Sequence, residues 1–167
     1  LPLALAVVEA GFHTWGVDVN TDRIACLKSG KSYIVDVPDV NLRVALNAGL
    51  FEPTADFSVL ARSDVIIICV PTPLRKSKDP DISYIAAAVS EIKRYLHKDL
   101  LVILESTTYP GTTEELIAHE IEQLGFAVGS DVFVCFSPER VDPGNRVFKT
   151  RNTPKVIGGV TRTCGEL

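Results

Sequence analysis

The run Asp64-Val65-Ile66-Ile67-Ile68-Cys69-Val70 is apolar at every position after its first residue. A strand with one face in water alternates apolar and polar side chains. A run without alternation must be covered on both faces, which is the situation of a strand inside a parallel sheet. Parallel neighbours cannot be joined by a tight hairpin, so helical crossovers should flank this run.

The flanking sequence meets that requirement. Phe12 to Asp18 reads as a strand, and Thr21 to Ser29 as a helix stopped by Gly30. Asp39 to Ala48 is a weaker helix ending at Gly49, and Ser58 to Arg62 a short one. Ile82, Ile85, Ala86, Val89, Ile92 and Leu96 form a helical stripe over Ile82 to His97. Leu100 to Leu104 is the next strand. A capping box of Thr112 and Glu115 opens a helix that runs to Leu124 and stops at Gly125. Val132 to Phe136 and Lys155 to Ile157 read as further strands. Strands alternating with crossover helices predict an α/β fold with a doubly wound parallel sheet.

Composition narrows the class. At 167 residues and 46% hydrophobic content the chain has the length and apolarity of one globular domain. A net charge of −4 gives no electrostatic reason to expect nucleic acid or an anionic membrane as partner. No apolar run approaches the roughly 20 residues of a bilayer span. Cys26, Cys69, Cys135 and Cys164 are scattered without a Cys-x-x-Cys pair, the pattern of free thiols in a reducing compartment, with the cytoplasm as default.

The chain opens in Leu1-Pro2-Leu3-Ala4, where Pro2 suits the first turn of a helix and Gly11 its stop. A strand and a glycine-rich turn are therefore expected ahead of Leu1. Gly11, Gly16 and Gly30 have neither the spacing nor the context of a phosphate-binding loop. Residues 1–167 accordingly read as a domain fragment lacking its first strand and glycine-rich loop.

In open α/β sheets, ligands bind beyond the carboxyl ends of the strands. Here those ends read Asp18, then Val70-Pro71-Thr72-Pro73, then Glu105-Ser106-Thr107-Thr108-Tyr109-Pro110-Gly111, then Ser137-Pro138-Glu139-Arg140. Asp18 could accept hydrogen bonds from an adenosine ribose and repel a 2′-phosphate, or serve as an ordinary loop acid, since Asn20 and Thr21 are available to cap the next helix. Arg23 would lie over the adenosine or be a solvated cation. Val70, Pro71 and Thr72 form a rigid extended exit, fit either as a cofactor shelf or as a plain turn. Ser106 and Thr107 could contact a ligand or cap the following helix. Glu139 could orient a water or exchange protons, or pair with Arg140 at the surface. Arg75, Lys76 and Lys78 make a basic loop, solvated or phosphate-receiving. His13, His97 and His119 share no ligand spacing, so no metal is expected. Cys164 lacks a partner base for a nucleophilic role.

Taken together, Gly16-Val17-Asp18-Val19-Asn20, Cys69-Val70-Pro71-Thr72-Pro73, Glu105-Ser106-Thr107-Thr108-Tyr109-Pro110-Gly111 and Phe136-Ser137-Pro138-Glu139-Arg140-Val141-Asp142-Pro143-Gly144 resemble the UDP-glucose/GDP-mannose dehydrogenase family, over nearly the whole chain and in the family's order. The resemblance implies a Rossmann-like NAD-binding domain, with a central helix and substrate domain beyond residue 167. It also implies a four-electron oxidation of a sugar C6 alcohol to a carboxylate, consuming two NAD. That chemistry runs through a cysteine thiohemiacetal and thioester, with a lysine and an asparagine, all from later in such chains, so residues 1–167 alone are expected to be inactive. Residue by residue, Asp18 and Arg23 look like the adenosine-ribose contacts, and Val70, Pro71, Thr72 and Ser106 like cleft-lining residues. Thr107 looks like the threonine that positions the catalytic water. Glu139 looks like the carboxylate that assists thioester turnover, with Arg140 beside it on the substrate side.

Ser-Pro-Glu-Arg-Val-Asp-Pro-Gly (137–144) resembles the branch acting on UDP-N-acetyl-hexosamines, where the UDP-glucose branch more often has Asn-Pro-Glu-Phe. Asp-Pro-Asp-Ile-Ser-Tyr (79–84) points the same way. The implied partner is a nucleotide sugar, with a homo-oligomer in the full-length protein. Two rivals remain: a dinucleotide module without chemistry, and a domain binding another nucleotide such as S-adenosylmethionine through Asp18. Glu139 and Thr107 favour the enzyme, because a sensor needs neither.

Overall fold

The computed structural model describes residues 1–76, 80–140, 147, 150 and 152–167. It divides into two compact units, one built from Leu1–Phe57 with Arg140–Thr153, the other from Ser58–Glu139 with Pro154–Leu167. Lys78, Asp79 and residues 141–144 of the family-like runs lie outside the described residues.

In the first unit, helix α1 (Pro2–Glu9) carries Pro2 in its first turn and ends at Gly11, whose φ of +95° suits a residue without a Cβ. Strand β1 (Thr14–Val17) follows, then α2 (Thr21–Lys28) and α3 (Asp39–Asn47). Strand β2 (Phe51–Thr54) pairs parallel to β1, Thr14 opposite Phe51 and Val17 opposite Thr54. Leu5 and Val8 of α1, Leu27 of α2, Leu42 and Ala45 of α3, Val37 and Phe51 make the core. A Cβ on Gly16 would come within 2.9 Å of the Phe51 ring, so glycine there lets β1 lie close to that ring.

The second unit begins with a 3₁₀ turn reaching Arg62, followed by β3 (Val65–Ile68), α4 (Ser83–Lys93) and β4 (Leu100–Leu104). A π-helical turn (Thr113–Ala118) runs into α5 (His119–Glu122), then come β5 (Val132–Phe136), β6 (Gly158–Gly159) and α6 (Arg162–Glu166). The sheet order is β3-β4-β5-β6; the first three strands are parallel, and β6 is antiparallel to β5. Leu100, Val102 and Leu104 of β4 and Val132 and Val134 of β5 are fully buried, as central strands require. Ile85, Val89 and Ile92 form the buried stripe of α4, and the Lys93–Glu120 ion pair ties that helix to α5. Among the described residues no helix is long and apolar enough to cross a membrane.

The α/β class with parallel strands stands as the sequence implied. Three details differ. Strand β2 was not anticipated. Lys155 to Ile157 is irregular, and the strand is instead Gly158–Gly159. The Thr112–Glu115 capping box does not form: the Thr112 hydroxyl donates to the Tyr109 carbonyl at 2.8 Å and bonds the Thr108 hydroxyl at 2.6 Å. Thr112 is wholly buried, and the carbonyl within reach outcompetes the helix end.

Leu42 is fully enclosed in the first unit, whose β1 carries the only tryptophan, Trp15. Leu42→Ala should therefore destabilise that unit by about 2–5 kcal/mol, read as a lower urea midpoint of Trp15 fluorescence. A midpoint unchanged from the parent would show that α3 is not held through this core.

Candidate functional site at the strand ends

Asp18 follows β1 directly, and its amide donates to the Thr54 carbonyl at 3.2 Å, which extends the β1–β2 ladder by one residue. One carboxylate oxygen accepts the Asn20 amide at 2.8 Å, and the other accepts Arg23 Nη1 at 3.3 Å. Asn20 is the helix cap, its Oδ1 accepting the amides of Asp22 and Arg23, each at 3.0 Å. Asp18 is thereby released from capping and kept at the strand mouth with 26% of its side chain exposed. The Arg23 guanidinium lies 5.5 Å from the centroid of the Tyr33 ring. Burial, followed by the Asp18 charge, pushes the Tyr33 phenol above its ordinary value. Tyr33 was not singled out by sequence. Its partners lie ten and fifteen residues away in sequence, and only the turn after α2 brings them together.

The second unit presents three strand ends. The Ser106 hydroxyl donates to the Val70 carbonyl at 2.8 Å and the Ile68 carbonyl at 3.3 Å, so it ties the exit of β3 to that of β4. The Ser106 hydroxyl is thus spent on two strand-end carbonyls and does not cap the following helix. Val70 and Thr72 are half-buried, and Pro71 is exposed. The Pro73 carbonyl accepts the Asp81 amide at 2.8 Å, and Arg75 bonds the Asp81 carboxylate at 2.8 Å. That guanidinium and the Ser83 amide hold the Asp81 carboxyl down to about 2. Arg75 thus has an ion-pair role within the loop.

Thr107 and Glu139 are both exposed. Leu104 of β4 stands opposite Phe136 of β5, and Thr107 and Glu139 are each the third residue beyond those positions. The two side chains named as catalytic thus leave neighbouring strands at equivalent places. Two residues before each of them, Glu105 is buried and paired with Lys155, and Ser137 is buried with no hydrogen-bond partner for its hydroxyl. Neither Glu105 nor Lys155 was picked out by sequence reasoning. The available signal was a charged residue continuing the burial pattern of β4 without a break.

Cys69 retains an exposed surface, yet crowding by protein atoms, followed by the negative fields of Glu105 and Glu139, pushes its thiol up to about 11. The four cysteines are unpaired. Cys164 accepts the Val134 amide at 3.3 Å and the Thr161 hydroxyl at 3.2 Å, a packing role under β5. His13 packs edge-on to Trp15, His97 bonds the Ser63 and Lys98 carbonyls, and His119 bonds Gln123. Among the described residues no cluster of three or more His, Cys, Asp or Glu side chains could hold a metal ion.

The whole chain, residues 1–167, matches the model of the UDP-glucose/GDP-mannose dehydrogenase family, NAD binding domain. The chain belongs to this family. It is 37% identical to a UDP-N-acetyl-D-mannosamine dehydrogenase of Pyrococcus horikoshii, across 100% of its own length and 40% of that protein's. It is 35% identical to a UDP-N-acetyl-D-glucosamine 6-dehydrogenase of Pseudomonas aeruginosa, across 91% of the chain and 36% of the relative. The solved P. horikoshii UDP-D-ManNAc dehydrogenase superposes with a TM-score of 0.90, covering 99% of this chain and 40% of that one at 35% identity. The chain therefore spans about two fifths of the length of the relatives it matches. The cofactor of this domain is NAD. The residues present suit it: Asp18 is a partly exposed strand-end carboxylate whose remaining lone pairs can accept a ribose diol, with Arg23 alongside on an aromatic support.

The raised Cys69 thiol stays protonated at neutral pH. Its alkylation by iodoacetamide, followed by peptide mapping, should run roughly 100-fold slower than that of free cysteine at pH 8 and climb steadily toward pH 10. A rate like free cysteine at pH 8 would remove both the burial and the carboxylate fields from the account.

Proposed function

We propose that this chain is the NAD-binding part of a nucleotide-sugar 6-dehydrogenase, one that oxidises the C6 alcohol of a UDP-N-acetyl-hexosamine to the carboxylate. The observation that carries this reading is the equivalent exit of Thr107 and Glu139 from β4 and β5, an alcohol and a carboxylate each three residues beyond paired strand ends of a parallel sheet. A module that only binds or senses the dinucleotide has no use for that pair. The sugar class is supported by the relatives, whose names specify UDP-N-acetyl-D-mannosamine in P. horikoshii and UDP-N-acetyl-D-glucosamine in P. aeruginosa. Ser137-Pro138-Glu139-Arg140 supports the same branch.

In this reading Asp18 accepts the adenosine ribose hydroxyls and Arg23 lies against the adenosine. Val70, Pro71, Thr72 and Ser106 line the path of the cofactor. NAD held by these residues would supply the hydride acceptor for the oxidation of the sugar carbon. Thr107 orients the water that releases the acid, and Glu139 takes its proton, with Arg140 on the side of the substrate. The nucleophilic cysteine, lysine and asparagine of such a reaction are supplied by a substrate domain of the full-length protein, which works as a homo-oligomer. Free thiols at all four cysteines fit a cytoplasmic setting.

Two measurements test the assignment in the full-length dehydrogenase. Asp18→Ala should weaken NAD by about 1.5–3 kcal/mol while leaving NADP nearly unaffected; equal affinities for NAD before and after the substitution would end the ribose assignment. Glu139→Gln keeps shape and removes basicity. It should give a burst of NADH at enzyme stoichiometry and then turnover slowed by about 10²–10⁴-fold, with a covalent adduct visible by mass spectrometry. Normal turnover would return Glu139 to the surface-pair reading with Arg140.

A further inference from the structure

Lys155 reaches Glu105 from the far side of β5. The sheet order is β4-β5-β6, with Leu104 opposite Phe136 and Phe136 opposite Gly158. Because β6 runs antiparallel to β5, the residues just before Gly158 emerge at the same edge of the sheet as the carboxyl ends of β4 and β5. Glu105 is the first residue past β4, and Ser137 the first past β5. An ion pair from Lys155 to Glu105 therefore spans the root of the turn Ser137-Pro138-Glu139. The pair is well covered, with 5% of the Glu105 side chain and 27% of the Lys155 side chain exposed. Beneath the turn, the Ser137 amide donates to the Leu104 carbonyl at 3.0 Å, while its buried hydroxyl makes no hydrogen bond. That side chain lends the turn no polar anchor. The Cys69 thiol feels Glu105, Glu139 and Lys155 together, so these groups share one electrostatic neighbourhood.

We propose that the Glu105–Lys155 pair is a strap across the carboxyl end of β5 and that Lys155 is a positioning residue for the turn carrying Glu139. The inference rests on the catalytic reading of Glu139 given above. A buried carboxylate with a single covering cation holds that cation firmly, because separating them strands a charge away from water. The strap thus fixes β6's approach segment against β4 and confines the turn leaving between them. It also compensates the buried charge of Glu105.

The test uses the full-length dehydrogenase and four variants: Lys155→Met, Lys155→Arg, Glu139→Gln and the Glu139→Gln/Lys155→Met double. Lys155→Met should lower kcat by roughly 10- to 100-fold, as small misplacements of a reacting group do, with NAD affinity changed by less than about threefold. Lys155→Arg, which preserves the charge and can bridge the same carboxylate, should recover most of the loss. In the Glu139→Gln background, adding Lys155→Met should cost almost nothing further, since the group being positioned is gone. If Lys155→Met does not fold, the doubly neutral Glu105→Gln/Lys155→Met protein removes both charges from the interior and stands in for it. Wild-type kcat in the folded Lys155 variant, or losses that simply multiply in the double variant, would overturn the strap. Normal turnover of Glu139→Gln would instead overturn the catalytic reading beneath it.

Discussion

A strand sealed on one face, half-buried on the other and paired along both edges has only its ends available for chemistry. In β4, Leu100, Val102 and Leu104 are sealed on one face, and β3 and β5 occupy its edges. Polar side chains cannot enter this layer without losing their hydration, so they collect where the strands stop. The backbone sets the order in which they do. The Glu105 amide bonds the Ile68 carbonyl at 2.9 Å, and the Ser137 amide bonds the Leu104 carbonyl at 3.0 Å. Each strand end is thereby stitched to its neighbour, and Cys69, Glu105 and Ser137 emerge as one row.

Two strand-end carboxylates receive opposite treatment from their surroundings. Asp18 holds Arg23 at 3.3 Å with 54% of the arginine side chain in solvent. Such an exposed pair is worth little and is easily traded for a ligand hydroxyl. Glu105 is sealed, and Lys155 is its cover. Breaking that pair would leave a bare charge in a poorly hydrated place, so exchange with a ligand is disfavoured. The physical difference between a binding carboxylate and a scaffolding one thus lies in how readily its partner can be released. By that measure Asp18 is available to ligand and Glu105 is not.

The sequence announced the strands that are apolar throughout, although Val65 of β3 proves exposed where cover on both faces was expected, and it hid those whose reason for existing is elsewhere. Val65–Ile68, Leu100–Leu104 and Val132–Phe136 read directly as apolar runs. Strand β2 is Phe51-Glu52-Pro53-Thr54, with an acid and a proline that argue against a strand. It forms because β1 offers a parallel edge, to which Phe51 and Pro53 add buried surface. Strand β6 is two glycines with no side-chain pattern at all. A Cβ on Gly159 would fall 2.3 Å from the Gly165 amide nitrogen, so the close approach of α6 dictates the residue. The strand-end positions of Asp18, Thr107 and Glu139 were legible because the apolar runs before them are, and a general rule directs attention to such ends. Tyr33 and Lys155 were not, since each acts across a fold-dependent gap in sequence.

The rigid exit of β3 shows how a segment without regular structure can still be held in place. Pro71 and Pro73 contribute no amide hydrogens, so Val70-Pro71-Thr72-Pro73 cannot be secured by donating along its length. It is secured through its carbonyls. Ser106, the second residue beyond β4, bonds the Val70 carbonyl, and the Asp81 amide ahead of α4 bonds that of Pro73. Asp81 is in turn fixed by Arg75 and by the Ser83 amide. Fixed φ at the prolines narrows the conformations to be restrained, so two accepted hydrogen bonds, one near each end, suffice. The side chain of Thr72 between them is left half-buried, and holding the backbone does not call on it.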